Sequence, residues 1–578
     1  MNGDPKREWK LLGIAIVIIL AGSLLANAIN TVGGTVTVKD VRWAGENGDI
    51  LSAFLYIPDG VSAENPAPAV LVIGGGDTVR EGFQNWSLEF ARRGYVVLDL
   101  DKRGEGNSEG NGFDRARGYG GPEALRYLHS LDIIDHDNVG MAGHSMGGSA
   151  ITSAAMAYPD GYKGMVVVGS TTPVMDKDVD PTTLKNFVYI CGVSDKCRFD
   201  QSAVAPIFGT TDVRPIEGQV TGSFEEGTAR AYFNTPHPHA LEIKVPGVLD
   251  IMIDWIQQAV PAPHPIPSSN QIWLWNFAGS ALAMAGFVLL FLPLGGMLLR
   301  TPFFRSLVKP VPEFKGLTGK NWWIGAILTV LIPVGSLFYM QTVGAKIIKA
   351  SNLWPMSRVN GIMGWALFVA IVTIILILVN HYVLKIDRKA TAHNYGLTSE
   401  DGKIEWGNIG KSVLLAFSLF GIGYLLLVLI YRWLLVDFRI FEVQFKLVTP
   451  TRFRIVLQYL IPWMLAYIVV GANLHGLMRP KDGSKSLGRE ILINILLLAP
   501  WYYLWWPIYY GPLYAGSPAF FAGGTMHYWL WAFPPTLAIV AAISTYYYHK
   551  TGRVYVGAFL NALLVVWTMG AGNIGLVL

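Results

Sequence analysis

The sequence predicts an α/β fold, a doubly wound sheet inserted after an N-terminal membrane span and followed by an all-α polytopic transmembrane domain. Three observations carry the prediction. Between Val36 and Pro261, strand candidates at Ala67–Ile73, Gly94–Leu100, Asn138–Ala142, Gly164–Gly169 and Asn186–Cys191 are interleaved with helix candidates. Leu11 to Thr31 is apolar and follows Lys6, Arg7 and Lys10. From Ile272 onward the chain is a succession of apolar runs of roughly 20 residues, each long enough to cross a bilayer. The expected domains are a cytoplasmic N-terminus over 1–10, an anchor over 11–31, a sheet domain over 36–261 and about eight helices over 272–578.

In chain order, the first span has a competing reading. Ala26-Asn27-Ala28 has the small-residue spacing of a signal-peptidase site, and either an anchor or a cleaved leader exports the sheet domain. Ala67–Ile73 is a buried-strand pattern running into Gly74-Gly75-Gly76. A helix over Phe83–Arg93 leads to a strand over Gly94–Leu100 and a loop from Asp101 to Gly110. Asn138–Ala142 is the next strand, and Gly148–Ala155 is a small-residue helix packed closely behind it. Further strands are expected at Gly164–Gly169 and Asn186–Cys191, and Gly247–Ile256 has helical periodicity.

Between one strand and helix lies Gly143-His144-Ser145-Met146-Gly147. A serine in a sharp strand-to-helix turn is forced into strained backbone geometry with its hydroxyl exposed. The flanking glycines are required because neighbouring strands and the helix leave no room for a Cβ. Ser145 is therefore the expected nucleophile. Its tetrahedral intermediate needs backbone N–H donors, one from Met146 and one from the glycine loop at Gly75 or Gly76.

With the Asp101–Gly110 loop added, the stretch from about Gly48 to Val260 resembles the α/β-hydrolase superfamily, in its dienelactone-hydrolase and serine-peptidase-like branch. Members carry a D-x-R-G-x-G-x-S-x-G loop after the equivalent strand. Ile73 or Gly74 stands where many of them place a non-catalytic histidine. The resemblance implies a triad in the order Ser, acid, His. It puts the carboxylate at the end of the strand Asn186–Cys191, at Asp195, with Asp200 as the rival. It puts the base before the final helix, at His239 rather than the proline-flanked His237. The implied reaction is cleavage of an ester, thioester or amide through an acyl-enzyme. An acyltransferase using the same residues, and a transport or sensor protein whose hydrolase-like domain only binds, are the alternatives. Ser170–Lys185 is short where many relatives insert a helical cap, which implies an open site.

Cys191 and Cys197 bracket Asp195, and a disulfide there would pin the acid loop in an oxidising compartment. The other reading is a strand-end cysteine and a separate thiol. Neither C-x-x-C nor H-E-x-x-H occurs, so no metal and no cofactor is expected. The net charge of +4 comes from 45 basic against 41 acidic residues and is explained by the loops between spans, so no nucleic acid is expected.

Spans are expected at 272–299, 322–342, 360–384, 412–436, 456–476, 490–513, 527–548 and 554–578. The Lys/Arg bias puts the loops 300–321, 385–411, 477–489 and 549–553 on the cytoplasmic side with the N-terminus. The sheet domain is then extracytoplasmic, in a multi-pass plasma membrane protein. The segment 437–455, with Arg439, Lys446, Arg452 and Arg454, strains that rule and is expected to lie along the headgroups. Asp and Glu are nearly absent at depth, which disfavours ion-coupled transport. The aromatic cluster from Trp501 to Tyr510 reads as an interfacial belt or as the wall of an acyl-chain groove. The expected partners are the lipid bilayer and an ester, lipid-linked or acyl-peptide substrate. Oligomeric state has no signal.

Overall fold

Helix α1 (Pro5–Asn30) opens the chain, and the strand-forming runs after it assemble into one nine-stranded sheet. Its strands are β1 (Val36–Ala44), β2 (Ile50–Pro58), β3 (Ala67–Ile73), β4 (Val96–Asp101), β5 (Ile134–His144), β6 (Gly164–Val168), β7 (Phe187–Gly192), β8 (Val220–Thr221) and β9 (Arg230–Thr235). The spatial order is β1-β2-β4-β3-β5-β6-β7-β9-β8. The computed structural model describes residues 5–170, 180–195, 198, 201–202, 204–386, 389–481, 486–520 and 526–576.

From β4 to β9 all neighbours are parallel, whereas β1, β2 and β8 pair antiparallel at the two edges. The central strands β4, β6 and β7 are buried at every residue, as parallel strands covered on both faces must be. Helices α3 (Gly121–His129) and α4 (Met146–Ala157) cover one face, where Leu125, Leu128, Ile151 and Ala154 pack on Leu71, Leu98 and Met141. Helices α2 (Gln84–Ala91) and α6 (Pro246–Ala259) pack on each other and on strands of the same sheet, and α5 (His239–Glu242) is a single turn between β9 and α6. The doubly wound α/β sheet holds as expected. β1 and β2 have no counterpart in the sequence-based expectations, nor does β9, whose Arg230 and Asn234 interrupt the apolar pattern.

The second half is helical: α7 (Trp273–Leu298), α8 (Gly319–Ile347), α9 (Ser357–Leu378), α10 (Trp406–Leu434), α11 (Pro450–Ala472), α12 (Leu487–Leu498), α13 (Trp505–Tyr514), α14 (Met526–Trp529), α15 (Phe533–Thr551) and α16 (Tyr555–Thr568). Among the described residues, eight helices are long and apolar enough to cross a membrane, α1 and seven in this half. The expected run 527–548 is not one of them. It is split between α14 and α15, and α15 starts on Pro534-Pro535 and ends in Tyr546-Tyr547-Tyr548-His549-Lys550. Val540, Ile543, Ser544, Thr545 and Tyr547 of α15 are buried, so protein neighbours satisfy its polar groups: Asn494 donates to Thr545 Oγ1 at 2.9 Å.

Chain contacts divide the molecule into two compact units. One comprises Met1–Ser23, Ser280–Trp506 and Gly523–Ala571; the other comprises Leu24–Gly279, Pro507–Ala522 and Gly572–Leu578. Within the helical unit, ion pairs knit one set of connections together. Glu8 meets Arg300 at 2.9 Å and Lys550 at 3.0 Å, Glu405 meets Arg553 at 2.9 Å, and Glu490 meets His549 at 2.8 Å. In the 437–455 segment Arg439, Lys446 and Arg452 are buried and Arg454 is exposed. The segment forms the hairpin β10 (Phe438–Ile440) and β11 (Val443–Phe445), with Phe438 and Phe445 packed on Phe287. Arg439 is paired with Asp437, and Lys446 and Arg452 are buried, so these cations are absorbed by protein.

Candidate active site

Every residue expected at the site and described by the structure lies at the C-terminal edge of the sheet or on the loops leaving it. At the end of β5 the chain turns through Ser145 into α4, and Ser145 has φ 54° and ψ −116°. A positive φ costs a non-glycine residue energy and persists only where the surroundings enforce it. Here the enforcement comes from the turn itself and from the ends of β3 and β6. A Cβ on Gly143 would collide with the Gly147 carbonyl, and one on Gly147 with the Ile73 carbonyl. Ser145 N–H donates to Val168 O at 2.8 Å, which ties the turn to the end of β6.

Asp195 lies beyond β7, is buried, and donates its backbone N–H to Gly192 O at 2.9 Å. His239 begins α5, and its Nδ1 stands 2.6 Å from Asp195 Oδ2. His237 is half-buried two residues earlier, and burial lowers its pKa. Of the two histidines, it is His239 that meets the carboxylate. Gly169, next to the Val168 that holds Ser145, lies against the same imidazole: a Cβ there would be 3.0 Å from His239 Nδ1. β6 thus brings the serine turn and the Asp195–His239 pair to one rim.

The glycine loop after β3 reaches the same place. A Cβ on Gly75 would lie 3.3 Å from Ser145 Cβ, and one on Gly76 would strike Met146 Sδ. Gly75 therefore lies against Ser145, and Gly76 against the side chain of the next residue, Met146. Tyr514 Oη donates to Pro236 O at 3.4 Å, so the last residue of α13 lies on the loop leading to His239. Asp200 and Cys197 lie outside the described residues, as does 171–179 within the Ser170–Lys185 connection; Cys191 is buried in β7.

Two buried groups were not anticipated. Glu242, one helical turn after His239, is fully buried with Oε2 3.8 Å from His239 Nδ1 and 3.6 Å from His144 Nε2. Burial, reinforced by the Asp195 charge, holds the Glu242 carboxyl well above its ordinary pKa. Burial likewise pushes His144 well below its ordinary value. The signal for Glu242 was its i, i+3 spacing from His239, which matters only once that residue is known to be helical. Ligand atoms of His144, His239 and Glu242 lie within 4.8 Å of one another.

Glu242 also makes stability depend on pH. Its pKa in the folded protein is raised above the ordinary 4.5, so its stabilising protonated form is retained below that value and lost as pH rises through the raised one. Glu242→Gln should therefore gain thermal stability relative to the parent as pH increases from about 5 to about 8, above the ordinary carboxyl range. Parallel unfolding midpoints for the two proteins across that window would mean that the carboxyl is not held neutral.

Residues 47–181 match the family model described as X-Pro dipeptidyl-peptidase (S15 family). A 134-residue stretch is 25% identical to esterase FrsA of Yersinia pestis (strain Pestoides F), covering 23% of this chain and 32% of that protein. Esterase FrsA of Serratia proteamaculans (strain 568) is 24% identical over 133 residues, with the same 23% and 32% coverage. The chain thus spans about a third of the length of these curated relatives. Among solved structures, a bacterial heroin esterase is similar at 16% identity, 42% coverage of this chain, 87% of the other and a TM-score of 0.31. A predicted CIB-like hydrolase from Thermoplasma acidophilum is similar at 16% identity, 38% and 99% coverage, and a TM-score of 0.29.

Proposed function

Because the chain carries a serine-hydrolase-type α/β-hydrolase domain, we propose that it is a membrane-embedded, extracytoplasmic hydrolase cleaving an ester, thioester or amide through Ser145, His239 and Asp195. The observation that carries the reading is the 2.6 Å contact of His239 Nδ1 with Asp195 Oδ2, on the rim that also carries the strained Ser145 turn. In this mechanism Asp195 accepts from His239 Nδ1–H and so leaves Nε2 as the base. His239 takes the Ser145 proton as Oγ attacks the acyl carbon, and backbone N–H groups of the glycine loop and Met146 hold the developing oxyanion. The imidazolium then protonates the leaving group. Water attacks the acyl-enzyme by the same route, returning the proton to the serine.

A membrane-associated acyl substrate is favoured by the eight apolar helices and by the tyrosine that closes on the loop before His239. The extracytoplasmic placement is supported by the basic residues of the connections that Glu8, Glu405 and Glu490 bind together.

One experiment addresses activity and side together. A membrane-impermeant fluorophosphonate added to intact cells should label the protein, and acylated lipids should compete better than soluble esters. Labelling that requires permeabilisation would reverse the orientation. Absence of labelling even after lysis would sink the hydrolase reading, and superior competition by a soluble ester would remove the lipid preference.

A further inference from the structure

The oxyanion loop is strapped by a segment nearly 500 residues away. Gly106 N–H donates to Gly572 O at 2.9 Å, Leu576 N–H to Gly104 O at 3.1 Å, and Gly112 N–H to Leu576 O at 2.9 Å. The backbones touch: a Cβ on Gly572 would lie 2.6 Å from Gly106 Cα, and one on Gly112 would lie 2.9 Å from Gly575 Cα. Only glycine permits that approach. Gly572–Leu576 accordingly belongs to the sheet unit, although it lies beyond α16 in sequence.

A fourth bond connects the segment to the site. Gly575 N–H donates to Asp77 Oδ1 at 3.1 Å. Asp77 directly succeeds Gly76 and has φ 58°, a left-handed conformation that an aspartate holds only under constraint. From the other side, its own N–H donates to Glu105 Oε1 at 2.8 Å. Lys102 Nζ donates to both Glu105 and the Gly75 carbonyl. In a trans peptide the C=O and the next N–H point in opposite directions. With the Gly75 carbonyl turned onto Lys102, the Gly76 N–H faces away from that lysine.

We propose that Gly572–Leu576 is a positioning strap for the oxyanion loop, holding Asp77 so that Gly76 N–H is aimed as the second donor beside Met146 N–H. The strap rests on the hydrolase reading above. It makes the last described segment of the chain a requirement for chemistry in the domain encoded first. Its residues act through Asp77 and do not touch the reacting atoms.

The test is turnover of a soluble activated ester by the full-length protein. Asp77→Ala removes the acceptor and Gly575→Pro removes the donor of the same bond. Each should lower kcat by about 100-fold, the usual cost of a small misplacement at a catalytic group, with KM changed by less than about twofold. Asp77→Asn retains Oδ1. Gly575→Ala retains the N–H and meets nothing nearer than 3.5 Å. Both conservative variants should restore most of the rate. The Asp77→Ala/Gly575→Pro pair should fall no further than the worse single variant, since one bond is lost in all three. Should Gly575→Pro not accumulate, Asp77→Ala against Asp77→Asn carries the comparison alone.

Full kcat in Asp77→Ala, failure of Asp77→Asn to restore the rate, or losses that multiply in the double variant would each overturn the strap. Those results leave the hydrolase reading standing as long as Ser145 still reacts. A parent protein with neither turnover nor labelling overturns the hydrolase reading, and the strap with it.

Discussion

Ser145→Ala is expected to abolish fluorophosphonate labelling and to lower turnover by on the order of a million-fold, while expression and thermal unfolding stay close to the parent. The substitution removes one oxygen and leaves the strained turn in place. That turn is enforced by the glycines at 143 and 147 and by the Ser145 N–H bond to Val168, none of which involves the hydroxyl. The residual rate is the catalysis available from oxyanion stabilisation and binding alone, typically about a thousand- to ten-thousand-fold over water. Covalent labelling with mass analysis of the modified peptide is the direct measurement. Undiminished labelling of the alanine variant would place the nucleophile elsewhere and end the serine-hydrolase reading.

The two histidines should separate by at least about 1000-fold, as loss of a triad base costs far more than loss of a loop residue. His239→Ala leaves the Ser145 hydroxyl without a base and deletes the imidazole that faces buried Asp195. A rate loss of about ten-thousand-fold or more is expected. His237→Ala should stay within a few-fold, because that imidazole is half-buried and is not the one on Asp195. Asp195→Asn is expected to behave like the His239 variant, since an amide facing Nδ1 favours the wrong tautomer. Steady-state kinetics on a small activated ester reads all three. A severe His237→Ala with a mild His239→Ala would move the base two residues and leave Ser145 untouched.

How far the chain could be read before folding depended on whether the information was local. The serine turn was legible because strand, glycines and small-residue helix are contiguous in sequence, although the Cβ exclusion at Gly147 is set by Ile73 on the neighbouring strand. Helices long and apolar enough to cross a membrane were legible from run length and charge. The run 527–548 is not among the crossing helices because it is split between α14 and α15, and the two prolines, three tyrosines, His549 and Lys550 of α15 dilute its apolar residues. A charge-bias rule also counts Arg439 without its partner Asp437, which it meets within the hairpin.

The Ser145 turn, the glycine loop, the order of the acid and histidine candidates and the long apolar runs are all written in consecutive residues. Their steric or hydrophobic character is set by near neighbours, so no folded structure is needed to read them. The resemblance favoured His239, but its contact with Asp195 spans 44 residues and exists only in the folded packing. The same packing brought Glu242 beside that pair and joined Gly575 to Asp77 across 498 residues. Such contacts leave no periodic mark in a chain. They depend on where β6, β7 and β9 lie in the sheet and on which backbones are bare enough to touch.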